Sequence, residues 1–392
     1  MSAGSALILA CGRSPVVPCG GALKGYSPHT LAAPVVRDVV RRAGLQLLDI
    51  DAVVVGNAMG AGGNPARMVA LEAGLSDHCA ALSVDTQCCS GLDAITLACG
   101  LIASGQASVV IAGGVEAWSR APLRLHRPLQ NGDTPVPYDR PAFAPDPARD
   151  PDLIWAAALH AAQQGYSRSE QDAYSVLSHQ RALAHRADIQ PELTAYAEVS
   201  ADANPRAVDL RRAARYPALF PDLPPSAVDC GVSALGVSAR ADGAAFVVLA
   251  TEEACARLQV RATWRWVAAC TMGAAPEAPM LAAARAARCC MQRAGIEHIS
   301  ALDLIELHDA FAVQGLSFCR DLDCDPQRIN MRGGGLARGH PIGASGAIAL
   351  VRLLSDLKSG GALGMTAVAG AGGLGSAAIV ETIAAKGVAH SE

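Results

Sequence analysis

Aromatic side chains are scarce in this 392-residue chain, at 4% of its residues, and long apolar runs are missing altogether. The stretches Ser5–Ala10, Ala52–Val55 and Val109–Ala112 fall far short of the roughly 20 apolar residues that a membrane-spanning helix needs. The amino terminus shows no charged region leading into an extended apolar core and cleavage site, so the expectation is a cytoplasmic protein with no membrane partner. Net charge is only −4 and neither end carries a block of like charge, which removes the electrostatic case for nucleic acid. Thirteen cysteines are present, yet no two have the two-residue separation of a zinc knuckle, so no metal is expected. A disulfide framework belongs to secreted proteins, and the thiols are expected to be reduced.

What the chain does have is small residues. Alanine and its 38 glycines favour helices packed tightly on sheets, and the length suits two or three structural units around a large core.

Two stretches share one pattern. The first reads Gln87-Cys88-Cys89-Ser90-Gly91-Leu92, an amphipathic run to Ser104, then an apolar strand from Ser108 to Gly114. The second reads Gly339-His340-Pro341-Ile342-Gly343, a run to Leu357, then small and apolar residues from Gly364 to Gly373. In each, a reactive side chain stands three residues before a glycine and a helix follows, which reads as a duplicated unit. Leu92, Ile95, Cys99 and Ile102 fall at helical spacing, as do Ile348, Val351 and Leu354. Ala52–Val55, Val109–Ala112, Ala245–Leu249 and Thr366–Val368 read as buried strands, and their alternation with helices predicts parallel, doubly covered sheets.

Between the copies the texture changes. Eight prolines from Pro122 to Pro151 predict a long ordered excursion over Ala121–Pro151 that covers a site or touches another subunit, and a helix over Ser169–Ala187 capped by Ser169 follows. The predicted domains are residues 1–118 plus about 238–268 as the first half, about 119–237 as a loop domain, and about 269–392 as the second half.

Cys88 stands where a strand over Ala81–Asp85 turns into a helix near Ser90. Unpaired amides at a helix start stabilise a thiolate, so its pKa is expected below the usual value of about 8.5. The same amides can serve a thioester carbonyl as an oxyanion hole. An isolated Cys-Cys pair would read as small buried residues at a turn, and an isolated His before Pro as structural. Their matching places in two copies point instead to a nucleophile and its base meeting at a pseudo-twofold axis.

The segments Gly20–Leu23, Gln87–Leu92, Ala112–Ser119 and Gly339–Gly346 resemble the thiolase family in order and spacing, over nearly the whole chain. The resemblance implies an α/β thiolase-like fold: two repeated βαβαβαββ halves in a five-layered α-β-α-β-α core with an inserted loop domain. It implies an acyltransferase working by ping-pong through an acyl-enzyme on Cys88, with His340 as activator. His308-Asp309-Ala310-Phe311 occupies the place of an Asn-Glu-Ala-Phe motif, putting His308 in the oxyanion hole beside His340, Cys88 and Gly370. A histidine there is similar to sterol-carrier-type thiolases, but Ala310 replaces their cysteine. The family's second catalytic cysteine is also absent, with Ala369 and Gly370 in its place.

Cys88, His308 and His340 also resemble the Cys-His-His set of β-ketoacyl synthases, in which decarboxylation makes the enolate. These features imply a biosynthetic acyl transfer from coenzyme A or a carrier to a carbon acceptor. A conventional β-ketothiolase with a substitute base such as Cys89, and a weakly active scaffold subunit, remain alternatives. Ser238 matches the serine that lies against the pantetheine arm. Arg206, Arg211, Arg212 and Arg215 are candidates for the nucleotide phosphates, although a solvated helical face accounts for them as well. No permanently bound cofactor is implied. A homodimer or homotetramer is, and some relatives act with a small partner subunit.

Overall fold

The computed structural model describes residues 6–60, 62–220, 230–357 and 362–383. The first copy runs β1 (Leu7–Arg13), α1 (Pro28–Arg42), β2 (Ala52–Gly56), α2 (Pro65–Ala73), β3 (Ala80–Val84), α3 (Ser90–Ala103) and β4 (Val109–Ala117). An excursion with α4 (Leu153–Gln164) and α5 (Arg168–Ala184) follows, and β5 (Ala241–Ala250) returns to the first copy. The second copy is β6 (Trp264–Gly273), α6 (Ala282–Arg293), β7 (Leu304–His308), α7 (Ala312–Leu322), α8 (Ser345–Asp356), β8 (Leu363–Gly370) and β9 (Leu374–Thr382).

The strands lie in the order β7-β8-β9-β6-β1-β5-β4-β2-β3. The two half-sheets join where Leu7 and Ile8 pair with Arg265 and Trp264. Side chains alternate across β2: Val53 and Val55 enter a core with Val36, Val39 and Val40 of α1, while Val54 enters another with Ile95 of α3 and Leu350 of α8. Burial on both faces is why the strand is apolar without a break. A third core packs Met365, Ala367 and Ile379 against Ala283 and Ala287 of α6 and Phe318 of α7. Three apolar cores between successive sheets and helices give the five layers, with α3 and α8 in the middle.

The sheets are mixed rather than parallel. Among the described residues only β2–β3, β2–β4 and β7–β8 form parallel ladders. β8 and β9 are joined by the turn Ala371-Gly372-Gly373, with φ of +76° and +79° at its glycines, and so short a connection permits only antiparallel pairing. Among its described residues the second copy has no counterpart of β3: Ile329 makes one parallel bridge to Ile305 and the ladder stops there. β6 pairs along its length with β9, so the second copy opens at Trp264, ahead of the expected boundary near residue 269. α5 is capped by Ser167, whose hydroxyl accepts from the Glu170 amide while Glu170 bonds back to Ser167, rather than by Ser169. Among the described residues no helix is long and apolar enough to cross a membrane.

The excursion is bolted to both copies by charge. Arg13 of β1 donates to Glu192 at 2.6 Å and to both oxygens of Asp202 at 2.7 and 2.9 Å, and Arg352 of α8 donates to the other Glu192 oxygen. Both guanidiniums are buried. Glu192→Ala would leave two buried cations without their shared anion, and a loss of about 3–5 kcal/mol is expected. A urea denaturation series should show that loss as a large drop in midpoint, with Glu192→Gln falling between the variant and the parent.

Candidate active site

β3 ends at Val84, and the chain reverses through Asp85 and Thr86 into a tight turn at Gln87–Cys89 before α3 begins. Gln87 takes the left-handed conformation, φ +55°, which turns Cys88 outward from the strand's path. The reversal is held by Ser90, whose hydroxyl accepts from the Thr86 amide at 2.9 Å and donates to the Gln87 carbonyl at 2.6 Å. Below it, buried Asp93 accepts from Thr86 at 2.5 Å, from Thr271 of β6 at 2.6 Å and from Ser376 of β9. One carboxylate therefore ties the turn that carries Cys88 to the second half of the chain.

His340 arrives from the opposite copy, and glycine is what lets it come close. A Cβ on Gly91 would lie 2.8 Å from the Gly343 carbonyl oxygen, and one on Gly114 only 2.0 Å from the same atom. The two helix starts thus meet backbone to backbone. Glu116, fully buried, accepts from the Gly343 amide and from the Ala58 amide, each at 3.0 Å, and from the Asn57 side chain at 2.9 Å. Trp118 donates to the His340 carbonyl at 3.2 Å, and the His340 amide donates to Ala239 at 2.7 Å.

These supports place His340 Nε2 3.1 Å from Cys88 Sγ. On the other side of the ring, Nδ1 lies 2.6 Å from the Ser345 hydroxyl, which donates its own proton to the Pro341 carbonyl at 2.9 Å. Ser345 can then only accept from Nδ1–H, so the Nε2 lone pair faces the thiol. Burial pushes the Cys88 thiol up to about 11, and the amides of Ala371 and Cys88 pull it back only in part, so the expected lowering does not occur. Burial also holds His340 down at about 4. The resting pair is a neutral thiol and a neutral imidazole, arranged for proton transfer when an electrophile arrives.

His308, at the end of β7, packs its ring against that of His340 with centroids 4.4 Å apart. Its Nε2 is buried and meets no protein partner among the described residues, and burial, His340 and Arg338 keep it neutral. Asp309 turns the other way, accepting from Tyr174 at 2.9 Å and from the Leu336 amide.

The remaining candidates divide. Cys89 is fully buried, with its sulfur against the Val368 carbonyl and burial raising its pKa, so it faces the core instead of Cys88. Ala369 packs in the outer core with α6 and α7. Gly370 is the last rung of the β8–β9 ladder, opposite Leu374, and the amide that reaches Cys88 Sγ belongs to Ala371, one residue on. The Ser238 hydroxyl is committed to the Gly335 carbonyl at 2.6 Å. Arg211 and Arg212 are exposed on the short helix Leu210–Ala213. Asp93, Glu116 and Ser345 were not singled out from the sequence. Glu116 and Ser345 lie inside the motifs quoted above, and an acid in an otherwise apolar strand was the available signal for Glu116.

The family description "Thiolase, N-terminal domain" matches residues 6–253 and "Thiolase, C-terminal domain" matches residues 260–382. A Bacillus subtilis protein named provisionally as an acetyl-CoA C-acetyltransferase is 35% identical, over 93% of this chain and 95% of that one. The crystal structure of the Bacillus anthracis acetyl-CoA acetyltransferase superposes with a TM-score of 0.87 at 30% identity, covering 97% of this chain and all (100%) of the other. The Ascaris suum Acat5 thiolase in complex with coenzyme A gives 0.88 at 26% identity, over 97% and 100%.

Two outcomes follow for Cys88 modification by iodoacetamide, read by peptide mass spectrometry. The rate should rise through the His340 titration near pH 4 and stay level towards neutrality, and a rise through the ordinary imidazole range would contradict the buried pair. Ser345→Ala, which frees the tautomer, should slow it by about one to two orders of magnitude, with Ser345→Thr restoring most of the rate.

Proposed function

The chain belongs to the thiolase family and is a thiolase-type acyltransferase, and on that premise we propose that Cys88 takes an acyl group from a coenzyme A thioester and passes it to a carbon acceptor. The observation that carries this reading is the 3.1 Å contact between Cys88 Sγ and the His340 Nε2 lone pair. As the thioester enters, His340 takes the thiol proton while sulfur attacks the carbonyl carbon. The developing oxyanion is met by the amides of Cys88 and Ala371. Collapse expels the carrier thiolate, which leaves with the proton from His340. The coenzyme A bound to the Ascaris suum neighbour supports this donor class. In this reading exposed Arg211 and Arg212 meet its phosphates, and Ser238, whose hydroxyl is bonded to the Gly335 carbonyl, packs against the pantetheine arm.

The second half-reaction lacks a thiol base, since alanine stands at both 310 and 369 and Cys89 faces the core. The acceptor is therefore one whose nucleophilic carbon needs no strong base: already acidic, or formed by loss of a carboxyl group. The unpartnered Nε2 of His308, beside neutral His340, is suited to hold the resulting enolate oxygen. That favours synthesis over thiolytic cleavage. The chain also works as a homo-oligomer in this reading. Strand β3 is an open sheet edge with Leu82 exposed, and the hairpin of Leu125–His126 and Val136–Pro137 displays Leu123, Leu125, Leu129 and Val136 to solvent.

Intact-protein mass spectrometry after incubation with acyl-CoAs and carrier-bound acyl groups should show one acyl adduct, lost in Cys88→Ala. No adduct with any donor would sink the proposal. Thiolysis of acetoacetyl-CoA should be slower by about two to four orders of magnitude than in thiolases with a second catalytic cysteine, because the positioned base is missing. Brisk thiolysis would instead favour a conventional β-ketothiolase, and biological function retained by Cys88→Ala would favour a scaffold subunit.

A further inference from the structure

Two buried charges stand at matched places beside the two imidazoles. Glu306 lies two residues ahead of His308 on β7, and Arg338 lies two residues ahead of His340. Ile305 and Leu307 enter the outer core, so Glu306 and His308 share the opposite face of the strand. Arg338 Nη2 donates to Glu306 Oε2 at 3.4 Å, and the two side chains are only 4% and 5% exposed. A buried ion pair is weak evidence for stability, and its best-attested use is to fix the register of the segments it joins.

The segment that carries Arg338 is held at each of its residues. It is a single helical turn, Gly335–Arg338, that leads straight into Gly339 and His340. Ser238 donates to the Gly335 carbonyl at 2.6 Å, the Leu336 amide donates to Asp309 at 3.3 Å, and Asn204 donates to the Ala337 carbonyl at 2.8 Å. Gly335 faces His308 directly, since a Cβ there would lie 2.6 Å from the imidazole Nδ1. The backbone of His308 is fixed from α7, where buried Gln314 donates to the His308 carbonyl at 3.1 Å and accepts from the Ala310 amide at 3.0 Å. His308 therefore sits in a slot, one wall of which is the turn that Arg338 ties back to β7. His340 has its own supports in Ser345, Trp118 and Ala239.

We propose that Glu306 and Arg338 are positioning residues that set the spacing between the His308 and His340 rings, whose centroids stand 4.4 Å apart. The inference rests on the reading of His308 as the group that holds the enolate oxygen, and it names what keeps that group in reach. One oxygen shared by two imidazoles needs each nitrogen within about 3.2 Å, so a shift of about 1 Å in either ring removes a partner. Burial, His340 and the Arg338 charge also keep His308 neutral, so the brace and the charge state of the slot have one source.

The full chain is tested at about pH 8, where Glu306, pushed up to about 7 by burial, is ionised. Arg338→Met alone leaves a buried carboxylate without its cation and can cost the fold, so Glu306→Leu combined with Arg338→Met, an apolar pair of similar volume, is studied beside it. Crystal structures of the parent and the paired variant should differ by more than about 1 Å in the separation of the His308 and His340 rings. Iodoacetamide alkylation of Cys88 should stay within about threefold of the parent, because His340 is held separately. Transfer from acetyl-loaded Cys88 to malonyl-CoA, whose carbanion forms by loss of a carboxyl group, should fall about 100-fold in kcat with KM little changed. Arg338→Lys, which keeps the charge, should retain most of that rate. Rings at the parental spacing in the paired variant would overturn the proposal, as would alkylation and transfer falling together, the mark of a general loosening. A parent protein that takes no acyl group, or passes none to malonyl-CoA, would count against the acyl-transfer reading instead, and ring spacing with alkylation rate would still decide the brace.

Discussion

The structure depends on one contact, the meeting of the two helix starts, α3 and α8, at glycines that let their backbones approach. Gly91, Gly114 and Gly343 approach so closely that a single methyl at any of them would overlap backbone atoms of a neighbouring segment. The turn that follows β3 and the Gly339–Ile342 segment of the second copy are thereby brought to the same point, and the residues three positions before Gly91 and Gly343, Cys88 and His340, face each other. The duplication would be chemically idle with bulkier residues there, because the two halves would stand apart by more than a hydrogen bond.

Burial in the central layer then decides the electrostatics. A helix start favours a thiolate, but its amides work against the loss of water around a sulfur sealed between two sheets, and desolvation wins. The outcome is a neutral pair whose arrangement lies in geometry: a tautomer set by Ser345, a lone pair aimed at the thiol, and two amides directed at the sulfur. The same low-dielectric setting explains the heavy use of buried carboxylates as fasteners. Asp93 gathers three hydroxyls from both halves, Glu116 gathers backbone amides from two loops, and Glu192 binds two guanidiniums across the excursion. Burial also pushes Glu116 up to about 7, so its several donors are what keep it a useful anchor.

Much of this was legible beforehand. The helix over residues 90–103 followed from apolar spacing, the buried strands from unbroken apolar runs, and the Cys88–His340 pairing from the repeat. Sheet direction was not legible, because alternation of strands and helices says nothing about the tight Ala371–Gly373 turn that forces β8 and β9 antiparallel. Nor was the erosion of the second copy, where the segment around Ile329 keeps a single bridge to Ile305. Ser345 is not legible either, because its role needs a five-residue reach back to His340 through a turn, a distance at which periodicity is silent.

The sequence by itself determined the chemistry available: a nucleophilic sulfur and two imidazoles at motif positions, and alanine where a second thiol would supply a base. Those are properties of residue identity and no fold can alter them. The tertiary structure alone decided the charge states, the His340 tautomer, the substitution of Ala371 for Gly370 beside the sulfur, and the exclusion of Cys89. Each of these depends on which atoms from distant segments crowd around a site and how much water they displace, quantities that exist only once the two copies have closed on each other.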